Sequence, residues 1–530
     1  MTNLLTERLI RFRAVDGSGT IESIPGVYEA LIADRVESFP ALRPHQRHAW
    51  HAFLAQLAVL ALTRAGRQEP PRLADEWRQL LRELTSGFPD DEPWRLIVSD
   101  SSRPAFLQCP APGGLAAYKK LLAAPDDLDV LVTSKNHDLK SSVETDGKAD
   151  DWVFSLVSLQ TMGGYFGAGN HGIARMNGGY SSRPCLGLAP AEGGLGAHLA
   201  HDIRQMIEQR SKVLDWYEEY YSPEDGIGLV WIEPWDGTVS LKLTDLDPHF
   251  IEICRRVRLM RRGERIVART ATSKTRRIAA AEAKGDLGDH WTPVAIDGET
   301  KALSITGAGF RYDRLAKLVL DQDAFRLSPA MSTGSADDGP WRLVARGVAA
   351  GQGKTEGYHE RADIVFAPRF ARSLLRGGEE RDTLDELARA QIGEIQEVIL
   401  ALRFGIAIAA SGGKEASALG RTDRQRGVPY ARRLEALADA HFFEALQARF
   451  GVAEDVRAAV RCHFARRLIR HGEALLREAI SAVPCPAIQR YRAEARARSA
   501  FHWRLRRADS VFSDQPDIFE TGPKEKSHDT

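Results

Sequence analysis

Four consecutive stretches of helical period follow Pro368, and they constrain the fold more than any other feature of the sequence. Leu384, Leu387, Ala388, Ile392, Ile395, Val398, Ile399 and Leu402 form one apolar stripe. Leu434, Leu437, Ala438, His441, Phe442 and Ala445 form a second, and Val456, Ala459, Val460, His463, Phe464 and Leu468 a third. An Ala-rich fourth runs from Ala487 to Arg507. Each stripe must be buried against another element, and the links between them carry Gly or Pro, so residues 369–507 are predicted to form a four-helix bundle. Residues 508–530 are polar and net acidic, which predicts a disordered tail.

Ahead of Pro368 the period is mixed. The first segment, Asn3 to Leu31, reads as short strands, with Leu9–Val15 and Thr20–Ile24 joined by the hairpin turn Asp16-Gly17-Ser18-Gly19. From His45 to Arg64 the residues Trp50, Phe53, Leu54, Leu57, Ala58 and Ala61 fall at helical spacing, and a second helix is predicted over Ala74–Thr85. Between Gln108 and Pro190 the chain is rich in Gly, Asn and Ser and reads as long loops. Residues 225–368 alternate again, as in Gly228–Ile232 and Ala362–Phe366. The expectation is an α+β protein with a large mixed α/β N-terminal domain over 1–368. At 530 residues a division into domains is required in any case.

Composition excludes several classes. No apolar run approaches the roughly 18–20 residues that cross a bilayer, and Glu7 and Arg8 interrupt the N-terminus where a signal peptide would be apolar. A cytoplasmic protein with no membrane partner is expected. The five cysteines are scattered with no CxxC pair, so neither a disulfide framework nor a zinc ribbon is expected. Formal net charge is +0, from 72 basic and 72 acidic residues, but the distribution is uneven. Val456–Arg507 holds 13 arginines against Glu473, Glu478 and Glu494, a surplus of 10. Arginine is the side chain that grips phosphate in a fork, so this stretch reads as a polyanion surface, with Arg466, Arg467 and Arg470 as candidate phosphate contacts. The alternative is that they pair with acids of the first bundle helix, such as Glu394 and Glu397.

Motifs of catalysis do not hold up. Gly351-Gln352-Gly353-Lys354-Thr355 resembles the end of a phosphate-binding loop, but Val348 stands where that motif needs Gly, and an alternating stretch follows where it needs a helix. A Gly-flanked hairpin tip presenting Gln352 and Lys354 fits better, slim enough to enter a groove. His45, His48 and His51 are read as surface histidines, because His45 and His51 point about 240° apart around a helix. Asn136-His137-Asp138 reads as a polar loop between Lys135 and Lys140. The stretch Gln160–Gly179 has seven glycines in twenty positions, without the strand–GxGxxG–helix context of a dinucleotide site. It reads as a defined loop, anchored by Tyr165, Phe166 and Met176, whose backbone can approach a ligand closely.

Taken in order, several tracts resemble the CasA family, the large subunit of the type I-E CRISPR Cascade. They are Asn3-Leu4-Leu5-Thr6-Glu7-Arg8, Arg103–Gln108, Phe166-Gly167-Ala168-Gly169, Gly353–Arg361 and Ala440-His441-Phe442-Phe443, spanning about residues 3 to 505. The resemblance implies a non-catalytic subunit that needs no cofactor or metal. It would probe double-stranded target DNA for the protospacer-adjacent motif, wedge the duplex open for the crRNA and help recruit a helicase–nuclease, beside other Cascade subunits. By position it places the DNA-contacting loop at Phe166, Gly167, Ala168 and Gly169 and the wedge at Gln352, Gly353, Lys354 and Thr355. A minor-groove lysine falls at Lys274 or Lys284. The loop meeting the crRNA 5′ end and backbone subunits falls at Thr133, Lys135, Asn136, His137 and Lys140. Cys254 alone lies near the position of a Cys-rich zinc knuckle in some relatives, so no zinc is expected there.

Overall fold

The computed structural model describes residues 2–129, 147–333, 339–352, 354–513 and 516–519. They form two compact units, one of 1–310 with 322–371 and one of 311–321 with 372–530.

The first unit is mixed α/β. Its opening hairpin pairs β1 (Ile10–Ala14) with β2 (Gly19–Glu22) in antiparallel register through the Asp16–Gly17 turn, and β3 (Val36–Ser38) joins the other edge of β1. The strand reading of Asn3–Leu31 fails beyond Ser23, because α1 occupies Ile24–Ile32. Ser23 Oγ accepts from Gly26 N and Pro25 sits in the first turn, a helix start that the preceding alternation conceals.

Helix α2 (Arg47–Arg64) is the centre of this unit and is buried nearly all round, from His48 to Leu62. Trp50 packs edge-on against Phe154 with ring centroids 5.0 Å apart, and Phe53 does the same with Phe106 at 5.6 Å. Helix α3 (Ala74–Glu83) instead buries one face through Trp77, Leu80 and Leu81. Phe154 belongs to α4 (Ala149–Met162), which overturns the reading of 108–190 as loops alone. Trp152, Val153, Phe154, Leu156, Val157 and Leu159 are all buried, and a helix immersed on every side shows no amphipathic stripe to read.

Strand β4 (Lys120–Leu122) and strands β8 (Arg256–Arg262) and β9 (Arg265–Ala271) form one antiparallel sheet. Helix α5 (Leu195–Trp216) follows β5 (Cys185–Pro190) and packs on α2. Two small sheets follow, the parallel pair of β6 (Ile227–Leu229) with β7 (Leu246–Ile251), and β10 (Val294–Ala295) between β11 (Lys301–Ala302) and β12 (Phe325–Arg326). The longest ladder pairs β13 (Trp341–Gly351) with β14 (Lys354–Phe366), and β5 lies on the other edge of β13.

The second unit is helical. Segment α6 (Tyr312–Leu320) belongs to it, although α7 (Pro368–Arg376) brings the rest of the chain in only later. Tyr312 N donates to Asp439 Oδ1 at 2.7 Å, and the Tyr312 ring lies 4.9 Å from that of Phe442. Helices α8 (Glu379–Ala410), α10 (Val428–Arg449), α11 (Glu454–Ala482) and α12 (Ala487–Arg506) pack as the expected bundle, with the short α9 (Arg421–Gln425) between the first two. The chain stays packed past Ala508. Phe512 and Ile518 are buried in the stretch read as a disordered tail, because two apolar residues suffice to tie a polar segment to α11.

Candidate nucleic-acid interface

The glycine tract leaves α4 at Gly163 and closes on itself in a short turn. Phe166 N donates to Asn170 O and Asn170 N to Gly167 O, both at 2.9 Å. Gly167 and Gly169 have φ of +95° and +74°, a region that side chains rarely enter. A Cβ on Gly169 would stand 2.6 Å from Thr272 Cβ, whereas one on Gly167 would meet open space. Gly169 is therefore where the loop is pressed onto the body of the unit, and Gly167 is where it projects. Phe166 is 42% exposed beside that tip, so it does not anchor the loop as its bulk suggests. Met176 does, buried with Ile173 and Cys254.

The clamp around the loop is polar and hidden. Gln160, fully buried, accepts from Cys254 N and Arg255 N and donates to Leu107 O and Arg255 O. Arg255 in turn donates to Gly164 O at 2.8 Å and to His171 O. Behind the far end of the loop, Arg175 and Arg183 meet Glu252 and Asp289, with Arg183 Nη2 2.6 Å from Asp289 Oδ2 and Arg175 Nη1 3.4 Å from Glu252 Oε1. All four are buried. Burial pushes the Glu252 carboxyl up, while Arg183 and Arg175 hold Asp289 below its usual range in spite of burial. Breaking such a group by removing one member would leave an uncompensated interior charge.

The expected residues gather around this loop to different degrees. Ser273 N donates to Gly169 O at 3.0 Å, so Lys274, which is exposed, stands immediately beside the loop. It has no ion-pair partner among the described residues. Lys284 is half-buried and its ammonium is engaged by Glu299. Arg276, which the sequence did not single out, also borders the loop, its Nη2 3.4 Å from where a Gly178 Cβ would be.

The proposed wedge is a hairpin end. Gly351 pairs with Lys354, which closes the ladder at this end, and Gln352, next along the chain, is exposed. Strand β14 follows Lys354 where a phosphate-binding loop would need a helix. Gly353 lies outside the described residues, as does the side chain of Lys354. The hairpin is held to the glycine tract's end, since Ser182 N donates to Val348 O at 2.9 Å and Ala350 N to Ser181 Oγ at 3.3 Å. On its other flank Gly307 N donates to Glu356 Oε2 at 3.0 Å, and Thr355 is half-buried. Loop, Lys274 and hairpin thus belong to one connected scaffold. Thr133, Lys135, Asn136, His137 and Lys140 lie outside the described residues.

The surface reading of the histidines is corrected. His45 and His48 are buried, and His45 Nε2 lies 2.6 Å from Asp129 Oδ2. His51 bonds Asp202 instead, because helix geometry sends the three rings to different neighbours.

In the bundle the 13 arginines divide. Arg461 Nε donates to Glu394 Oε1 at 2.7 Å, beside the buried bidentate contact of Arg449, and Arg504 lies 3.3 Å from Glu397. Those acids thus meet Arg449, Arg461 and Arg504, and among the described residues neither Arg467 nor Arg470 forms an ion pair with them. Arg492 and Arg496 donate to Gly412 O and Gly413 O, satisfying carbonyls just past the end of α8. Arg467 and Arg470 are exposed on α11 with Arg477, and none of them has a carboxylate partner among the described residues. Arg467 Nη2 lies 2.7 Å from His441 Nε2, while Arg466 is half-buried.

No protein-family model matches the sequence, and no curated protein matches it. Solved structures do resemble the fold. CRISPR-associated protein Cse1 from Acidimicrobium ferrooxidans superposes with a TM-score of 0.64 at 15% identity, covering 96% of this chain and 98% of its own. CasA (Cse1) of Thermus thermophilus gives 0.60 at 15% identity, covering 95% and 98%. A chain of a CRISPR RNA-guided surveillance complex gives 0.53 at 14% identity, covering 94% and 99%. The structural neighbours of this chain are Cse1/CasA proteins, and it has their fold over about 95% of its length.

Proposed function

We propose that this chain is the large, non-catalytic subunit of a crRNA-guided Cascade complex, and that it inspects duplex DNA and begins to open it. The observation that carries the reading is the connected scaffold of an exposed glycine turn, an adjacent exposed Lys274 and a hairpin ending in Gln352 and Lys354. A surface of slim backbone with Lys274 and Arg276 at its border suits the minor groove, where width and a degenerate hydrogen-bond pattern are read. The projecting hairpin suits insertion beside the first base step. Unstacking that step costs a few kcal/mol, repaid by contacts to the opened strands. Of the two lysines, Lys274 is favoured because Lys284 is already paired with Glu299. Sequence identity would then be left to base pairing, with the crRNA and the neighbouring Cascade subunits holding the target and a helicase–nuclease joining afterwards. The similarity to Cse1 and to a chain of an RNA-guided surveillance complex supports this reading.

The test is a complex assembled with Gln352→Ala/Lys354→Ala and offered duplex and pre-opened bubble targets. Binding to the duplex should fall by at least tenfold while binding to the bubble is unchanged. Equal losses on both substrates would refute a wedge.

A further inference from the structure

Within the first unit, α2 and α5 bring together a group that the DNA reading does not use. His51 of α2 meets His198 and Asp202 of α5, one ligand atom from each lying within 4.8 Å of the others. His51 Nε2 is 2.7 Å and His198 Nε2 3.6 Å from the same oxygen, Asp202 Oδ2. The two imidazoles stack with centroids 4.1 Å apart. We propose that His51, His198 and Asp202 bind one divalent transition-metal ion of the zinc class, clamping α2 to α5.

Four observations support this. His198 and Asp202 are four residues apart on one helix, the spacing that sets two ligands side by side on one face. Two imidazole nitrogens and one carboxylate oxygen suit zinc, cobalt or iron(II) and are too few oxygens for calcium or magnesium. Tetrahedral coordination at about 2.0–2.1 Å needs ligand atoms roughly 3.3 Å apart; the two spacings to Asp202 Oδ2, 2.7 and 3.6 Å, bracket that value, and all three ligand atoms lie within 4.8 Å of one another. Finally, the groups seen against the carboxylate are imidazoles and one indole rather than a permanent cation. Asp202 is 1% exposed and no lysine or arginine forms an ion pair with it among the described residues. Among the described residues its Oδ1 has no hydrogen-bond partner, and it faces the equally unpartnered Nε2 of buried His290 at 3.9 Å.

The surroundings are those of a metal site with one open position. Trp291 Nε1 donates to Asp202 Oδ2 at 2.8 Å, an outer contact that fixes the carboxylate. His51 also lines a cavity of about 250 Å³ with Trp50, Leu54, Leu195 and Leu199, which gives water, or a small anion drawn by Arg47 and Arg346, access to the fourth position. The site would be structural. It fastens the central helix, whose neighbouring Arg47 lies 3.6 Å from Glu360 on the hairpin strand β14.

The experiment uses the full chain, stripped with chelator and titrated with cobalt(II), with visible ligand-field bands and melting temperature as readouts. One equivalent should produce the bands, raise the melting temperature, and be displaced by zinc. His198→Gln and Asp202→Asn should each weaken cobalt binding at least tenfold. Should Asp202→Asn not fold, His198→Gln alone carries the comparison, since its side chain is partly exposed. Absence of the bands in the wild-type chain would overturn the proposal. So would bands of equal affinity in His198→Gln, because the ion would then sit on other histidines. Duplex opening by the hairpin is read separately, so failure of the metal site leaves the DNA reading standing, and the reverse holds too.

Discussion

Replacing Arg467 and Arg470 by alanine separates a DNA-facing bundle from one whose arginines serve only the fold. Both side chains are exposed on α11, and neither has a carboxylate partner among the described residues. If each meets one phosphate in the assembled complex, the number of released counterions falls by two. The slope of log K against log salt for duplex DNA should then become shallower by about 1.8. Between 50 and 200 mM salt the wild-type complex would lose about 12-fold more affinity than the variant, from that difference in slope alone. The loss should be alike for target and non-target duplexes, because phosphate contacts carry no sequence information. Stability should change by no more than about 1 kcal/mol per side chain. Salt titrations by electrophoretic mobility and thermal melts of the same preparations provide both readouts. Arg461→Ala/Arg504→Ala is the internal contrast. Those guanidiniums lie on Glu394 and Glu397, so melting should suffer and the salt slope should not change. An unchanged slope in the Arg467/Arg470 variant would refute a DNA-facing role for this surface.

Three further outcomes follow from the packing. Gly169→Val should abolish motif-dependent DNA binding while complex assembly persists, and should be more damaging than Gly167→Val, because only at Gly169 does the new Cβ collide with Thr272; equal binding by both variants in a filter assay would contradict the close approach. Glu394→Ala should destabilise the bundle by about 3–5 kcal/mol, measured by urea unfolding, because Arg449 is left buried without its counter-charge. Stability should also fall with acid below pH 6.5. Burial holds His48 at about 3, with Arg346, His45 and Arg183 adding to the effect, and holds His249 at about 3 against the opposing pull of Asp247. Each imidazole stays neutral in the fold and takes a proton on unfolding, so each costs about 2 kcal/mol at pH 5 relative to pH 7.5. His48→Phe should flatten part of that dependence in unfolding titrations at successive pH values.

What the sequence discloses is local, and what it hides is contact between distant segments. The Asp16–Gly17 hairpin, α3 and the bundle were legible because turn chemistry and one-sided apolar periodicity are written in neighbouring residues. Helix α4 was not, since burial of Trp152 through Leu159 on every side erases the stripe. The glycine tract was recognisable as a defined loop from its composition. Which glycine is pressed against the body and which projects depends on Thr272, about a hundred positions away. The same is true of the cations. A surplus of ten in Val456–Arg507 gave the same promise to every arginine, but the fold spends Arg461 and Arg504 on acids of α8 and Arg492 and Arg496 on the carbonyls of Gly412 and Gly413 just past its end. Only the remaining exposed side chains are available to a polyanion. The histidines make the point most sharply. His45, His48 and His51 look like one array in the sequence and are three unrelated groups in the fold. His51 instead shares Asp202 with His198, a neighbour about 150 positions away. A pattern along one helix could not reveal that group, because two of its three members lie on α5. What brings the two helices together is the packing of their apolar faces.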